Sequence, residues 1–120
     1  MTDFSTWTDE QINEAIAIKQ GWVIDEYLIG DTRVREGKSS QGKVCVCPDE
    51  LPDYTHDWQL CGELLKDMKV ADVILLYCPG ANKWACDWNH WVQGSYETES
   101  EQADTSQRAL CQAWLAWKDG

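Results

Sequence analysis

The spacing of apolar and polar residues first indicates a helix near the start of the chain. Ile12, Ala15 and Ile16 recur at helical intervals. The segment Thr8-Asp9-Glu10-Gln11 just before them fits a capping box, in which the first residue is the N-cap and the fourth reaches back to it. Gly21 suits the left-handed position that follows many helix ends. We therefore predict the first helix at about residues 9–20.

Two further apolar stripes predict two more helices. The first follows an N-cap at Asp53 or Thr55, and the second follows an N-cap at Asp104 or Thr105. The stripes consist of Trp58, Cys61, Leu64, Leu65 and Met68 in one helix and of Leu110, Ala113, Trp114 and Trp117 in the other. Because each stripe lies on one side of its helix, each helix needs a partner layer that covers it.

Four segments have the composition of β-strands: Trp22–Ile29, Lys43–Cys47, Val70–Cys78 and Trp84–Val92. The last two flank a Pro79-Gly80 turn, so we expect them to pair antiparallel. The more polar stretches are expected to lie outside the sheet, Gly30–Gly42 as a mobile loop or hairpin tip and Gly94–Ala103 as a polar linker. These elements predict a single α+β domain over residues 1–120, with an antiparallel β-sheet of about four strands packed with about three helices.

The charge of the chain narrows the classes of partner. It contains 21 acidic and 10 basic residues in 120, which gives a formal net charge of −11. A protein that binds nucleic acid needs a basic footprint to neutralise phosphates, so no direct nucleic-acid binding is expected. The longest apolar run, Val73–Cys78, has six residues, against the roughly 20 that a membrane helix needs. No basic residue precedes an apolar stretch at the N-terminus, so we predict a cytoplasmic protein without a membrane partner.

The residues that could perform chemistry do not form a catalytic motif. No phosphate-binding loop, dinucleotide fingerprint or nucleophile motif accompanies His56 or His90, so we predict neither an enzyme nor a cofactor. Six cysteines offer soft metal ligands, but Cys45 and Cys47 are separated by one residue, closer than the two to four of most structural zinc sites. We interpret the cysteines as buried thiols, with a structural zinc-binding module as the alternative.

Three segments carry a family resemblance. They are Ile12–Ala17 closing on Gly21-Trp22, Leu51–Asp57 entering the second helix, and Asp104-Thr105 leading into Arg108–Leu115. In order and spacing they resemble the phage ABA sandwich domain family of small phage proteins. The resemblance spans nearly the whole chain and implies an α-β-α sandwich and a phage or prophage origin, with no catalytic residues to transfer. The eight tryptophans and the segment Trp84–Val92 depart from the family pattern.

Tryptophans and acidic residues form the remaining signals. We expect Trp7, Trp22, Trp58 and Trp114 to lie in the core. The other four, Trp84, Trp88, Trp91 and Trp117, are harder to bury together, so either they anchor a partner or a two-sided sandwich covers them. Acidic residues cluster before two helices, in one patch with Asp49, Glu50, Asp53 and Asp57 and in a second with Glu97, Glu99, Glu101 and Asp104. Solvated acidic loops are the simpler explanation of both patches, and complementarity to a basic groove is the other.

The combination favours a phage-encoded, non-catalytic protein that binds and inhibits a host defence complex handling nucleic acid. CRISPR effectors hold guide and target in channels lined with Lys and Arg, so an anti-CRISPR-like inhibitor in the host cytoplasm is the leading hypothesis. The predicted partner-binding residues are Glu97, Glu99, Glu101 and Asp104, with Trp88 and Trp91 as anchors. The alternatives are the zinc module and a sponge for a nucleotide signal, whose site Arg33, Arg35, Lys38 and Lys43 would enclose.

Overall fold

The computed structural model describes residues 3–47, 50–68 and 72–119. Within these parts the chain forms three α-helices, six β-strands and a short 3-10 helix, Phe4–Thr6. The helices are α1 (Asp9–Lys19), α2 (Trp58–Asp67) and α3 (Ser106–Asp119), and the strands are β1 (Val23–Ile29), β2 (Thr32–Lys38), β3 (Val44–Val46), β4 (Val73–Cys78), β5 (Lys83–Val92) and β6 (Ser95–Ala103). No helix in the described part of the chain is long and apolar enough to cross a membrane.

Helix α1 has the boundaries that its local sequence predicts. The Thr8 hydroxyl accepts from the backbone N–H of Gln11, and the Gln11 side chain accepts from the backbone N–H of Thr8. This reciprocal capping box satisfies two backbone donors at the helix start. Gly21 follows the helix with φ of 100°, a conformation that a residue with a Cβ rarely adopts.

The caps of the other two helices differ in part from the prediction. Helix α2 begins later than expected, because Asp57, rather than Asp53 or Thr55, accepts from the backbone N–H groups of Gln59 and Leu60. At α3 the predicted cap is present, since the Thr105 hydroxyl accepts from the backbone N–H of Arg108.

Strands β1, β2 and β3 form the first sheet, which is antiparallel and has the order β1-β2-β3. The predicted loop Gly30–Gly42 is therefore wrong for most of its length, because β2 occupies its centre and pairs with β1 from Val23 opposite Lys38 to Ile29 opposite Thr32. The predicted hairpin tip is present at residues 30–31, where Gly30 has φ of 62°.

Strands β4, β5 and β6 form the second sheet, also antiparallel, with the order β4-β5-β6. The predicted pairing of β4 with β5 is confirmed, with Leu75 opposite Cys86. The predicted linker Gly94–Ala103 is wrong, because β6 pairs along β5 in nine register positions from Val92 opposite Ser95 to Trp84 opposite Ala103. Backbone pairing with the neighbouring strand β5 makes this polar segment a strand, although its composition indicates a loop.

Helix α3 lies at the centre of the molecule. Seven consecutive residues of α3 are buried, and Ser106 at its start is buried as well. The seven are Ala109, Leu110, Cys111, Gln112, Ala113, Trp114 and Leu115. A helix buried on all sides needs neighbours on all sides. Helix α3 contacts the second sheet, and it also contacts α1 and α2. The main core forms around it, with Ile12, Ile16, Leu64 and Met68 fully buried.

The first sheet packs on a smaller cluster. Its buried members are Ala17 of α1 with Cys45, Cys47 and Leu51, and Trp22 and Ile24 pack against them. Gly37 of β2 lies beneath the two thiols, and a Cβ at this position would lie only 2.9 Å from the Sγ of Cys47. The sheet therefore depends on a glycine where two cysteine side chains approach the backbone.

The predicted α+β fold with three helices is confirmed. The predicted sheet of about four strands is corrected to six strands in two three-stranded sheets over residues 3–47, 50–68 and 72–119. Both additional strands, β2 and β6, are polar segments whose pairing partners lie next to them in sequence.

Candidate partner-binding surface

The four predicted contact acids lie at one edge of the second sheet and form a surface that we call the acidic edge: Glu97, Glu99, Glu101 and Asp104. Residues two apart on a strand share a face, so the three glutamates of β6 lie on the same side at intervals of about 6.8 Å. Glu101 lies opposite Cys86 and Glu99 opposite Trp88 on β5. Those partners belong to the core beneath α3, which identifies this side as the one that faces α3.

Exposure rises along the acidic edge as β6 leaves the core. Glu101 and Glu99 are half-buried, whereas Glu97 is exposed. Burial raises the pKa of the Glu101 carboxyl above its usual value, and a hydrogen bond from Gln112 opposes this shift. The row of carboxylates is thus half-buried at Glu101 and exposed to solvent at Glu97.

A polar network fixes Glu101 to the middle of α3. The Gln112 side-chain amide donates to Glu101 Oε1 at 3.1 Å and to the backbone carbonyl of Gln102 at 2.9 Å. Gln112 is itself 1% exposed, and its Oε1 accepts from Arg108 Nε at 2.8 Å. Because every one of these groups has a partner, the network can remain buried and hold the carboxylate in one orientation.

Arg108 extends the network to the N-terminal segment. Its guanidinium donates to Asp9 Oδ1 at 2.6 Å and to the carbonyl oxygens of Phe4 and Trp7 at 2.9 and 2.5 Å. The three nitrogens of the guanidinium all donate, which makes Arg108 a structural tie between α3 and the start of α1.

Asp104 differs from the three glutamates because it forms an ion pair. Its carboxylate accepts from the ammonium of Lys83, and this hydrogen bond lowers the pKa of Asp104. Both side chains are exposed, so the pair is weak and can be exchanged for another partner.

Of the two predicted tryptophan anchors, Trp88 does not join this surface. Trp88 is 4% exposed and lies in the main core, so its expected role as an exposed anchor is corrected: it supports β5 from inside. The position of Trp91 lies on β5, opposite Tyr96, and its side chain lies outside the described residues. Trp58 was expected in the core, but it is 50% exposed, because the stripe of α2 turns Cys61 and Leu64 inward instead. Trp114 is fully buried, as predicted.

A cleft of about 240 Å³ opens beside the acidic edge, between the end of β6 and the start of α3. Its lining includes Ser5, Lys83, Asp104, Thr105 and Arg108. An anionic small molecule would need cations free to receive it, but Arg108 is paired with Asp9 and Lys83 with Asp104. Of the basic residues suggested for a nucleotide site, Arg33 pairs with Glu26 and Arg35 with Glu14. Two of the four residues suggested for the nucleotide sponge are therefore engaged in ion pairs, and the sponge stays a prediction.

Two residues of the first predicted acidic patch, Asp53 and Asp57, form hydrogen bonds within the chain. Asp53 accepts from the Asn13 amide at 2.9 Å and lies 2.9 Å from His56 Nδ1. The hydrogen bond with Asp53 raises the pKa of His56, while His56 and Asn13 together lower the pKa of Asp53 against the opposing effect of burial. Asp57 caps α2, and Asp49 lies outside the described residues.

The cysteines of the described residues are free thiols. Five of the six are buried, namely Cys45, Cys47, Cys61, Cys86 and Cys111. Burial raises the pKa of Cys47 to about 11 and that of Cys86 to about 12, which keeps both protonated at neutral pH. No group of three or more His, Cys, Asp or Glu side chains could hold a metal ion among the residues with described positions.

Sequence reasoning did not identify Arg108 and Gln112 as the residues that position the acidic edge. They are four apart on α3, so they share a face of that helix. A polar pair at this spacing beside an apolar stripe was the available signal, and the buried position of Gln112 follows only from the packing of β6 against α3.

Comparisons with known proteins add no relative to this description. No family model, no curated protein and no solved structure matches the chain.

Proposed function

We propose that the protein is a non-catalytic acidic binding protein that docks its acidic edge into a basic groove of another protein. The observation that supports this most directly is the row of three glutamates on one side of β6, oriented at one end by Gln112. An ordered row of carboxylates presents a fixed negative pattern, whereas a flexible acidic loop would lose entropy on binding.

The overall charge supports the same conclusion. If each of the 10 basic residues neutralised one acid, 11 of the 21 acids would still be unneutralised. This excess steers the protein toward cationic surfaces and repels polyanions. The partner class is therefore a protein with a cationic groove, rather than a nucleic acid.

The spacing of the row compares with that of a nucleic acid strand. The glutamates recur about every 6.8 Å, twice the roughly 3.4 Å axial rise per phosphate of one strand. The row therefore shares the sign and linear form of a phosphate backbone at a lower charge density. A groove that accepts a polynucleotide provides complementary charge for it, which supports a role as an anti-CRISPR-like inhibitor or nucleic-acid mimic in a host cytoplasm.

A phage origin is part of the same proposal. It rests on the resemblance of residues 12–22, 51–57 and 104–115 to the phage ABA sandwich domain family, whose sandwich covers both faces of a sheet with helices. The second sheet of this chain differs from that arrangement, because α3 covers one of its faces and Ile74 and Leu76 are exposed on the other face.

The test compares two variants of equal net charge. Glu97→Lys with Glu99→Lys reverses the charge of the two glutamates of the acidic edge that lie farthest from Gln112, and Asp25→Lys with Asp31→Lys makes the same change on β1 and the turn that follows it. Each double substitution adds four positive units, so both variants have a net charge of −7, from −11 + 4. Any difference between them reports the position of the charge rather than its amount.

Immobilised protein is exposed to a host extract, and retained proteins are identified by mass spectrometry and then purified. We expect a basic protein or ribonucleoprotein whose affinity falls at least about tenfold with the acidic-edge variant and much less with the first-sheet variant. Added polynucleotide should compete with the wild type, and affinity should decrease as salt increases. Retention of no basic partner, or equal effects of the two variants, would contradict the proposal.

A further inference from the structure

The two sheets have four outer edges, and three of them carry features that discourage pairing with another strand. Strand β1 has Asp25 and Glu26 at its centre, β3 has only three residues, and β6 carries the glutamates of the acidic edge. Charged and very short edge strands are common means by which proteins avoid edge-to-edge association.

Strand β4 lacks these features. It consists of Val73-Ile74-Leu75-Leu76-Tyr77-Cys78, with Asp72 directly before it and Lys83 as the next charged residue after it, so no charge lies within the strand. In the sheet order it has a neighbour on one side, β5. Ile74 is 56% exposed and Leu76 37% exposed on the face opposite α3, so both apolar side chains lie at the surface. Among the described strands, β5 alone pairs with β4, which leaves the other edge of β4 without a strand partner in the described part of the chain.

We propose that β4 pairs antiparallel with β4 of a second copy of this chain, which joins the two second sheets into one continuous six-stranded sheet. The occupant is a second copy because the strand is self-complementary. With Leu75 on the two-fold axis, Ile74 of each copy lies opposite Leu76 of the other. In this register each even-numbered position of β4 pairs with an even-numbered position of the other copy. The sides that face α3 in the two copies therefore lie on the same side of the joined sheet, and the four exposed side chains form one apolar cluster on the other side.

The charge distribution permits this association in a protein with a net charge of −11. Strand β6 lies two strands from β4, so the acidic edges of the two copies would be separated by five interstrand spacings, about 24 Å. This distance exceeds the Debye length of about 8 Å at physiological ionic strength, so repulsion between the acidic edges is screened.

Few charges lie near the proposed interface. Asp72 directly precedes β4 and is exposed. On β5, Asp87 lies opposite Ile74 and Lys83 lies opposite Cys78. Two negative residues and one positive residue therefore flank β4 in each copy, and in the proposed register position 72 lies opposite position 78 of the other copy, next to the position of Lys83. The proposed interface lies at the other edge of the sheet from the acidic edge, so it is independent of the proposed function.

The experiment measures the dimer dissociation constant by sedimentation equilibrium. The wild type is compared with Ile74→Lys, with Leu76→Glu and with the combined Ile74→Lys/Leu76→Glu variant. Leu28→Lys is the matched control, because Leu28 is 67% exposed on β1, the edge strand of the other sheet. Circular dichroism melting verifies that every variant is folded, which the exposure of these side chains favours.

We expect the wild type to dimerise, and each β4 single variant to weaken the dimer at least about tenfold, because each places two charges against apolar residues of the other copy. In the combined variant the ammonium introduced at position 74 faces the carboxylate introduced at position 76 of the second copy. This variant should regain affinity to within about threefold of the wild type. The control should leave the constant unchanged.

Three results would overturn the proposal. One is a wild-type protein that is monomeric at every concentration up to about 100 µM. Another is a dimer that Leu28→Lys weakens as much as Ile74→Lys does. The third is a combined variant with no recovery, because other registers place position 76 opposite position 76 or position 78 and cannot bring the opposite charges together.

Discussion

The two sheets have the same number of strands and the same antiparallel order, yet the main core forms on only one of them. The second sheet presents Cys86, Trp88 and Ala103 to α3, and these residues are buried. The first sheet contacts the rest of the molecule through a cluster of four buried residues, and Val23, Leu28 and Ile29 of β1 are more than half exposed.

This difference indicates how stability and binding are distributed in the molecule. A sheet that packs on the main core opens only when the core opens, whereas a sheet with few buried contacts can open locally at a lower free energy. The acidic edge lies on the more firmly packed sheet, so the backbone positions of its glutamates keep a fixed spacing, and Gln112 holds the carboxylate of Glu101. The first sheet forms a local unit that depends on Gly37, the two thiols and an ion pair between Arg35 and Glu14.

Substitution in the main core should have the largest effect. Trp114 is fully buried, and its indole N–H donates to Asp67 Oδ2 at 3.1 Å. We expect Trp114→Ala to lower the free energy of unfolding by about 3–5 kcal/mol, because it removes a large side chain from a packed interior. Trp22→Ala, in the smaller cluster of the first sheet, should cost about 1–2 kcal/mol. Urea denaturation monitored by circular dichroism measures both values.

The comparison between the sheets depends on how much more free energy of unfolding Trp114→Ala loses than Trp22→Ala does. Equal losses would show that the first sheet is as strongly coupled to the core as the second. Trp114→Phe is the control for the hydrogen bond, because it removes the indole donor to Asp67 and keeps a smaller aromatic ring in the core.

An added methyl group tests the smaller cluster directly. Gly37→Ala would place a Cβ 2.9 Å from Cys47 Sγ and 3.3 Å from Ile24 Cδ1. We expect a loss of about 1–3 kcal/mol in the free energy of unfolding, since overpacking forces neighbours to move. Hydrogen exchange should show that amides of β1 and β2 lose protection while those of β5 change little.

Two further variants check the cause of this effect. Cys47→Ala in the Gly37→Ala background should recover part of the loss, because it removes the nearest contact. Gly62→Ala on α2, where nothing lies within 4 Å of the added Cβ, should instead stabilise the protein by about 0.5–1 kcal/mol. A Gly37→Ala variant with unchanged stability would show that the cluster is loosely packed.

Local sequence signals predicted the parts of the fold that local interactions determine. The capping box at Thr8 and Gln11, with Gly21 after the helix, gave α1 its boundaries. Strand β6 was missed because its residues are polar and its strand conformation comes from backbone pairing with β5. Trp58 was misplaced because the apolar stripe of α2 is wide enough to allow more than one inward orientation.

The candidate site was predicted only in part for the same reason. The acidic residues were visible as a cluster in the sequence, but their common direction follows from the alternation of β6. The network from Glu101 through Gln112 to Arg108 joins residues of β6 and α3 with the segment before α1, and such contacts between elements leave no periodic signal in sequence.

The smallest expected change in the free energy of unfolding comes from the half-buried carboxylate of Glu101 on the second sheet. Burial raises the folded-state pKa of Glu101, so folding favours its protonated form. Protonated Glu101 therefore adds to the free energy of unfolding. This contribution is fully present at pH values below the pKa of Glu101 in the unfolded chain, and it is lost as the pH rises through the pKa of Glu101 in the folded protein. At neutral pH Glu101 therefore carries its charge at some cost. Glu101→Gln should raise the free energy of unfolding by less than about 1 kcal/mol, after allowance for solvent screening.

The amide introduced by Glu101→Gln retains an oxygen that can accept from Gln112, so the network persists while the charge is removed. The gain should disappear at pH values below the unfolded pKa, where wild-type Glu101 is also neutral, and thermal melting at a series of pH values measures this dependence. Glu97→Gln at the exposed end of β6 should change stability by less than about 0.5 kcal/mol. If Glu101→Gln destabilises the protein at neutral pH, the charged carboxylate contributes to the packing of the second sheet, and the acidic edge would then stabilise the fold in addition to any role in binding.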